Sequence, residues 1–365
     1  MKQTGSKMLS YLRDALGLVR PLPGPPQFLF LFMNQRCNLR CRHCTNWQSN
    51  DQERAPYLTT SQRAAMIGEF AALSPGAAVV ICGGESMLDL EDYFAIAGAC
   101  RREGLRCLSV VNGTCIREAA MADRMIREGP HEISVSLNSH IPAQHDETRG
   151  VSGAFEMATT AVRLLQQSRK EQAATTRLFT QALVHEGNYR ELDPLYDFVL
   201  RDLGADKMKL SFIQPTFGRS GEDDSFARFR IRDADALLNM LRTCNERYRL
   251  NFNPAWMAQV EMYVNTVNRL ANPAYPWRGS AGTPDQICNS SERNIMVDVY
   301  GNLRLCFSPA FPSATWSQPG DLRDFWTEGS HAIRKKMRRC TALCGINHSV
   351  RREPATSKAI PIFGN

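Results

Sequence analysis

The sequence has no long hydrophobic run. Near its start the longest is the six-residue stretch Phe28–Met33, far short of the roughly 20 residues that span a bilayer. Met1 to Arg20 also lacks an uninterrupted apolar core and a small-residue cleavage site, so neither secretion nor a membrane span is expected and the cytoplasm is the expected compartment. There is no low-complexity tract and no repeat beyond an alternation of short and long patterns, which excludes solenoid and disordered classes. Neither sign of charge dominates: 44 Lys+Arg against 37 Asp+Glu leave +7. With 365 residues, 43% of them hydrophobic, the chain buries a core without covalent staples. Its 12 cysteines therefore point to metal or redox chemistry rather than to disulfides.

Met8, Leu12, Ala15, Leu16 and Val19 recur at helical spacing among basic residues before the proline-rich stretch from Pro21 to Pro26. A helix packed on the body is expected here, with peripheral membrane contact as the alternative. Short β-type runs then alternate with helical patterns. The strands are Phe28–Met33, Ala78–Cys82, Cys107–Val111, Glu132–Leu137, Arg177–Val184 and Met208–Ile213. Helices are expected near 60–73, 90–103, 118–128, 154–167, 189–203 and 233–248. Six β-then-α units imply an α/β fold, a partial (β/α)6 parallel barrel whose reactive groups lie beyond the strand C-terminal ends. The expected division is an N-terminal helical extension (1–26), the barrel core (27–250), a linker rich in Asn, Pro and aromatics (251–282), a small hairpin-plus-helix cluster-binding domain (283–350) and a tail (351–365). The hairpin is expected over Asn294–Cys306, turning at Gly301-Asn302.

Cys37, Cys41 and Cys44 form C-x3-C-x2-C directly after the first strand. Three thiolates within eight residues can wrap one iron–sulfur cube and leave one iron free. A zinc site with His43 or a remote residue as fourth ligand is the alternative. The motif resembles the signature of the radical S-adenosylmethionine (radical SAM) enzymes, and further matches follow in order. Cys82-Gly83-Gly84-Glu85 is similar to that family's GGE segment, and the resemblance implies that Gly83, Gly84 and Glu85 hold the methionyl amine of SAM. Asn112 ends the third strand and Ser136 lies at the end of the fourth, while the stretch from His145 to Phe155 resembles the family's HD-x2-RG-x2-G-x-F segment. By the same resemblance Asn112 belongs to the cofactor site, and Ser136 and Arg149 contact the SAM ribose or carboxylate. The sequence departs at Leu137-Asn138-Ser139, where many relatives carry Leu-Asp-Gly.

Cys288 and Cys306 stand in a C-x12-G-x4-C pattern, and Cys340 and Cys344 close the set. This arrangement resembles the auxiliary-cluster domain called SPASM, or its shorter form, twitch. The 33 residues between Cys306 and Cys340 contain no cysteine, so the implied complement is one auxiliary [4Fe–4S] cluster beside the SAM-binding one; a structural zinc knot is the alternative. Cys82, Cys100, Cys107, Cys115 and Cys244 read as core thiols, with Cys115 placed to face substrate and donate a hydrogen atom. The basic run from Arg334 to Arg339 reads as a solvated face beside an anionic cluster, and no nucleic-acid partner is expected.

The resemblance implies SAM and two [4Fe–4S] clusters as cofactors, an electron donor of the flavodoxin or ferredoxin type, and hydrogen-atom abstraction from the substrate. An auxiliary cluster with four thiolates suits electron acceptance, hence oxidation of a sugar, aminocyclitol or lipid-linked small molecule. Only residues 1–26 precede the core, which favours a small molecule over the alternatives, a cross-linked or oxidised peptide and a redox-neutral epimerisation. A non-catalytic iron–sulfur electron carrier is the reading of a different class.

Overall fold

The computed structural model describes residues 24–44, 46–49, 56–213, 228–271, 290–307 and 311–337. The N-terminal helix expected before Arg20 and Cys288, Cys340 and Cys344 lie outside them. Six strands run parallel in chain order: β1 (Phe28–Phe32), β2 (Ala78–Cys82), β3 (Arg106–Val111), β4 (Glu132–Ser136), β5 (Arg177–Val184) and β6 (Lys207–Phe212). Each lies within a residue or so of its expected place. Their crossovers carry α1 (Thr60–Leu73), α2 (Leu90–Arg102), α3 (Ala119–Glu128), α4 (Pro142–Arg149), α5 (Ala154–Glu171) and α6 (Leu192–Asp197). Local chemistry sets the boundaries. Thr59 and Gln62 form a reciprocal capping box at the start of α1, and Gly150, in the left-handed region, ends α4.

Along each strand alternate residues face opposite sides. One face, with Leu29, Leu31, Val79, Ile81, Ile133 and Val135, packs against the helices in the main core. The other carries Phe28, Phe30, Ala78, Val80, Leu108 and Met296, which are buried against one another and against Phe307. No described helix contributes to that second cluster. A sheet with helices on one side only keeps its other face dry by curling, and a partial barrel results.

Two regions differ from expectation. Within the expected linker, Pro254–Ala271 forms an 18-residue helix, α8, after α7 (Ala234–Tyr248). Its buried stripe is Trp256, Val260, Tyr263, Val264 and Val267, a helical spacing that the many Asn and Pro residues around it obscure. The hairpin exists, as β7 (Asn294–Val297) and β8 (Asn302–Arg304), but it turns at Asp298–Gly301, where the Asp298 carboxylate accepts the Tyr300 and Asn302 N–H groups, each at 3.0 Å. β7 pairs in parallel with β1, and β8 pairs with β9 (Ala314–Thr315), so the hairpin shares the barrel's sheet. No described helix is long and apolar enough to cross a membrane.

On its β4–β6 side the floor of the inner face carries a polar cluster. Lys209 on β6, buried, donates to Glu132 and, at 3.1 Å, to Ser134 on β4, and its ammonium lies 4.2 Å from the Phe179 ring centroid. Burial pulls the lysine down to about 8, against the pull of Glu132. Lys209→Met leaves a carboxylate at the floor without its nearest cation and is expected to cost about 3–5 kcal/mol in urea unfolding. The double variant Lys209→Met/Glu132→Leu should recover most of that loss; equal losses would show that the pair is not coupled.

Candidate active site

The cysteine segment Asn34–Cys44 leaves the C-terminal end of β1 and is gripped from three sides. From β2, Gly84 N–H donates to Asn34 O at 2.9 Å and Glu85 N–H to Arg36 O at 2.7 Å. A Cβ on Gly84 would lie 1.9 Å from Arg36 O, so only glycine permits this crossing. At Gly84 the close approach is thus made to the cysteine segment itself. From β3, Asn112 Nδ2 donates to Asn38 Oδ1 at 2.8 Å and Asn38 Nδ2 to Thr114 Oγ1 at 2.7 Å. From α4, the Arg149 and Thr148 carbonyls accept the Arg40 and Arg42 N–H groups at 3.1 and 3.0 Å. Gly150 is here the second obligatory glycine: φ is +69°, and a Cβ would meet Arg40 O at 2.2 Å. Trp47 closes the far side, its indole N–H donating to Cys41 O at 3.1 Å.

Cys37, Cys41 and Cys44 pack in one small cluster with Leu39, Val151, Ala154 and Met157. Burial pushes the Cys37 thiol up to about 11, with Cys41, Glu85 and Cys44 adding to the rise, and burial raises Cys44 as well. Arg149, only 7% exposed, points Nη1 at Cys41 Sγ, 3.5 Å away, while its Nε and Nη2 have no partner among the described residues. Three thiols beside a buried cation with spare donors fit an iron–sulfur cube carrying an anionic ligand. His43 is half-buried, held down to about 3 by desolvation and then by Arg149, and set edge-on to Phe229.

Glu85 is 2% exposed, and its carboxylate accepts Met87 N–H at 3.0 Å and Asn112 N–H at 2.7 Å. Burial pushes it up to about 7, against those two bonds and Arg149. It joins the ends of β2 and β3, and each oxygen keeps a lone pair for a ligand ammonium. Ser136 ends β4 half-buried, level with Gln181 on β5. Cys115 packs beside the main core, its Sγ 3.9 Å from Thr114 Oγ1. Cys82 is the thiol grouped with the inner face, near Phe30 and Phe307. Of the distal set only Cys306 is described. It is buried, and the next residue, Phe307, sets its ring edge-on to Phe30 and Phe32, with centroids 5.1 and 6.2 Å away.

Asn34, Asn38 and Asn138 were not legible as site residues. Asn34, fully buried, donates to Glu85 O at 3.1 Å and to Asp89 Oδ2 at 2.8 Å. Asn138 accepts Leu183 N–H at 3.0 Å and donates to Thr148 at 3.3 Å, while its own N–H goes to His145 Nδ1 at 3.1 Å. An amide, donor and acceptor at once, suits this joint better than an aspartate would. The remaining signal in the HD-x2-RG segment is structural: Asp146 accepts Gly153 and Phe155 N–H at 2.6 and 2.7 Å and so caps α5.

Residues 31–199 match the family model described as the Radical SAM superfamily. The chain is 28% identical over 251 residues to the AdoMet-dependent heme synthase of Methanosarcina barkeri, covering 66% of this chain and 68% of that protein. It is 33% identical over 211 residues to the pre-heme d1 synthase of Dinoroseobacter shibae, covering 56% and 48%. The matched stretch is thus less than half of the second relative. Among solved structures, Streptococcus suis SuiB bound to S-adenosylmethionine superposes with a TM-score of 0.64 at 13% identity, over 92% of this chain and 72% of that one. The fold is the radical SAM fold.

His145 is buried and held down to about 2 by desolvation, then by Arg149 and His43, against an ordinary value of 6.5. The folded state therefore refuses a proton that the unfolded chain takes up below pH 6.5, so the contribution to stability is whole above 6.5 and drains away as pH falls toward 2. In urea unfolding of the cluster-free protein, wild type is expected to lose about 2–3 kcal/mol more than His145→Asn between pH 7 and 4.5. Parallel losses would show that His145 is protonated in the fold.

Proposed function

We propose that this chain, with a radical SAM domain over residues 31–199, is a radical SAM enzyme that oxidises a small molecule. The observation that carries the reading is the packed group of Cys37, Cys41 and Cys44, clamped between the ends of β2, β3 and α4 with the Arg149 side chain against it. In this reading these cysteines hold a [4Fe–4S] cluster. Gly83, Gly84, Glu85, Asn112, Ser136 and Arg149 hold SAM, with Glu85 taking its ammonium and Arg149 its carboxylate. When both cofactors are bound and one electron arrives, they supply a 5′-deoxyadenosyl radical. The protein's work is to hold and orient the substrate and to keep water out.

The inner face suits that work. Phe32, Cys82, Val110, Ser136, Gln181 and Ser211 are half-buried near the C-terminal ends of their strands, above a buried floor of Phe30, Val80, Leu108, Ser134, Phe179 and Lys209. The β1–β3 side is apolar, while the β4–β6 side offers two hydroxyls and the Gln181 Oε1, which has no partner among the described residues. A compact substrate with one apolar face and one hydroxyl or amine edge fits such a wall. Heme and pre-heme d1, after which two of the relatives are named, have a broad apolar face of this kind; a bare sugar does not. Peptide modification remains the second reading. An auxiliary cluster on Cys288, Cys306, Cys340 and Cys344 would accept the substrate's electron, a role consistent with Cys306 standing next to the Phe307–Phe30 contact on the inner wall.

Anaerobic reconstitution with iron and sulfide is expected to load about eight irons per chain as two cubes. Incubation with SAM and dithionite should then release 5′-deoxyadenosine. The Cys37→Ala/Cys41→Ala/Cys44→Ala variant should drop to about four irons and release none. A wild type that binds zinc instead, or that leaves SAM intact, refutes the enzymatic reading; a wild type with about four irons refutes the auxiliary cluster alone.

A further inference from the structure

Each sulfur of the cysteine segment has N–H groups turned toward it. Leu39 N–H donates to the Cys37 thiol, and the Asn46 and Trp47 N–H groups donate to the Cys44 thiol. These belong to the backbone of the segment and the turn after it. Two further donors are side chains brought in by other elements. Asn112, just past β3, divides its amide: Nδ2 donates to Asn38 Oδ1 at 2.8 Å and lies 4.0 Å from Cys37 Sγ. Arg149, the last residue of α4, sets Nη1 3.5 Å from Cys41 Sγ. It is buried and makes no ion pair with a carboxylate among the described residues. Glu85, His43 and His145 lie near enough to feel its charge, and desolvation holds both histidines neutral. We propose that Arg149, seconded by Asn112, raises the reduction potential of a cluster on Cys37, Cys41 and Cys44 through N–H···S bonds and a buried positive charge, a tuning role separate from contact with SAM.

The inference rests on the radical SAM reading and deepens it by naming the residues that set how readily an electron is taken up. Reduction adds one electron and one negative charge to the cluster; no bond forms or breaks, and no proton need move. Hydrogen bonds to ligand sulfurs and a nearby cation both favour the reduced form, and burial makes that charge count for more than it would in water. One guanidinium can serve the sulfur and SAM together. Nε and Nη2, which have no partner among the described residues, make up one edge of the group, and that edge suits a carboxylate. Nη1 is left to Cys41. A lysine here would keep the charge but lose the fixed fork of donors.

The test uses the full-length reconstituted protein without SAM. Potentials are read by mediated redox titration of the reduced-cluster EPR signal that the Cys37→Ala/Cys41→Ala/Cys44→Ala variant lacks, with iron content measured for every variant. Arg149→Met should lower the potential by about a tenfold change in the one-electron equilibrium or more, about 59 mV. Arg149→Gln, which keeps an N–H without the charge, should fall between Arg149→Met and wild type, and Arg149→Lys should recover most of the shift. Asn112→Leu should lower the equilibrium constant about threefold; no change would strike Asn112 from the proposal. A fully loaded Arg149→Met at the wild-type potential, or Arg149→Lys as low as Arg149→Met, would overturn the tuning role. If Arg149→Met takes up no iron at this site, the other two variants decide: Arg149→Lys above Arg149→Gln supports the role, and equal potentials overturn it. A wild type with no EPR signal beyond that of the triple-cysteine variant would instead overturn the radical SAM reading beneath it.

Discussion

Two backbone crossings hold the candidate site together. Gly84 lies on the Arg36 carbonyl and Gly150 on the Arg40 carbonyl, each too close for a side chain. Between them the cysteine segment has almost no freedom, and its orientation follows: one row of residues turned in toward Arg149, the next turned out to solvent. The asparagines then act as fasteners. Asn34, Asn38 and Asn112 each spend an amide on a neighbouring segment, so that the strand ends and the cysteine segment form a single hydrogen-bonded body. Preorganisation of this kind matters wherever a reactive centre must be placed within a fraction of an ångström.

Most of the barrel was legible because its strands are short, apolar and β-branched or aromatic, and its helices carry strong periodicity. Phe28–Phe32 and Ala78–Cys82 stand where pattern alone placed them. The helix Pro254–Ala271 did not show through, since its buried stripe is diluted by Asn253, Asn265 and Asn268, which usually signal turns; Asn268 in fact donates from within the helix to the Ile231 and Arg232 carbonyls. The hairpin's turn was misplaced by a few residues because Asp298, whose carboxylate organises it, carries no dipeptide signature.

At the site, cysteine spacing was readable and second-tier support was not. Nothing in the spacing of Asn138 or His145 says that they bond each other across the end of β4, because that contact depends on how far α4 folds back. Likewise nothing in the pattern Gly83-Gly84-Glu85 says that Gly84 lies against the Arg36 carbonyl. Both are long-range facts. Local pattern reports which residues are unusual, and only the fold reports what they are unusual for.

The pairing of β7 with β1 bears on how the molecule assembles. Gln27 and Arg293 are 266 positions apart, yet their side chains are hydrogen-bonded at 2.9 Å, and β1 has β7 as its neighbour on one flank. The strand that launches the cysteine segment is made early on the ribosome, but it waits for nearly the whole core to emerge before its second edge is covered. Contacts of such sequence separation form late and slowly. Until then the inner aromatic face of β1 stands open, so the wall it forms with β2 and β7 is completed only at a late stage of the chain's folding.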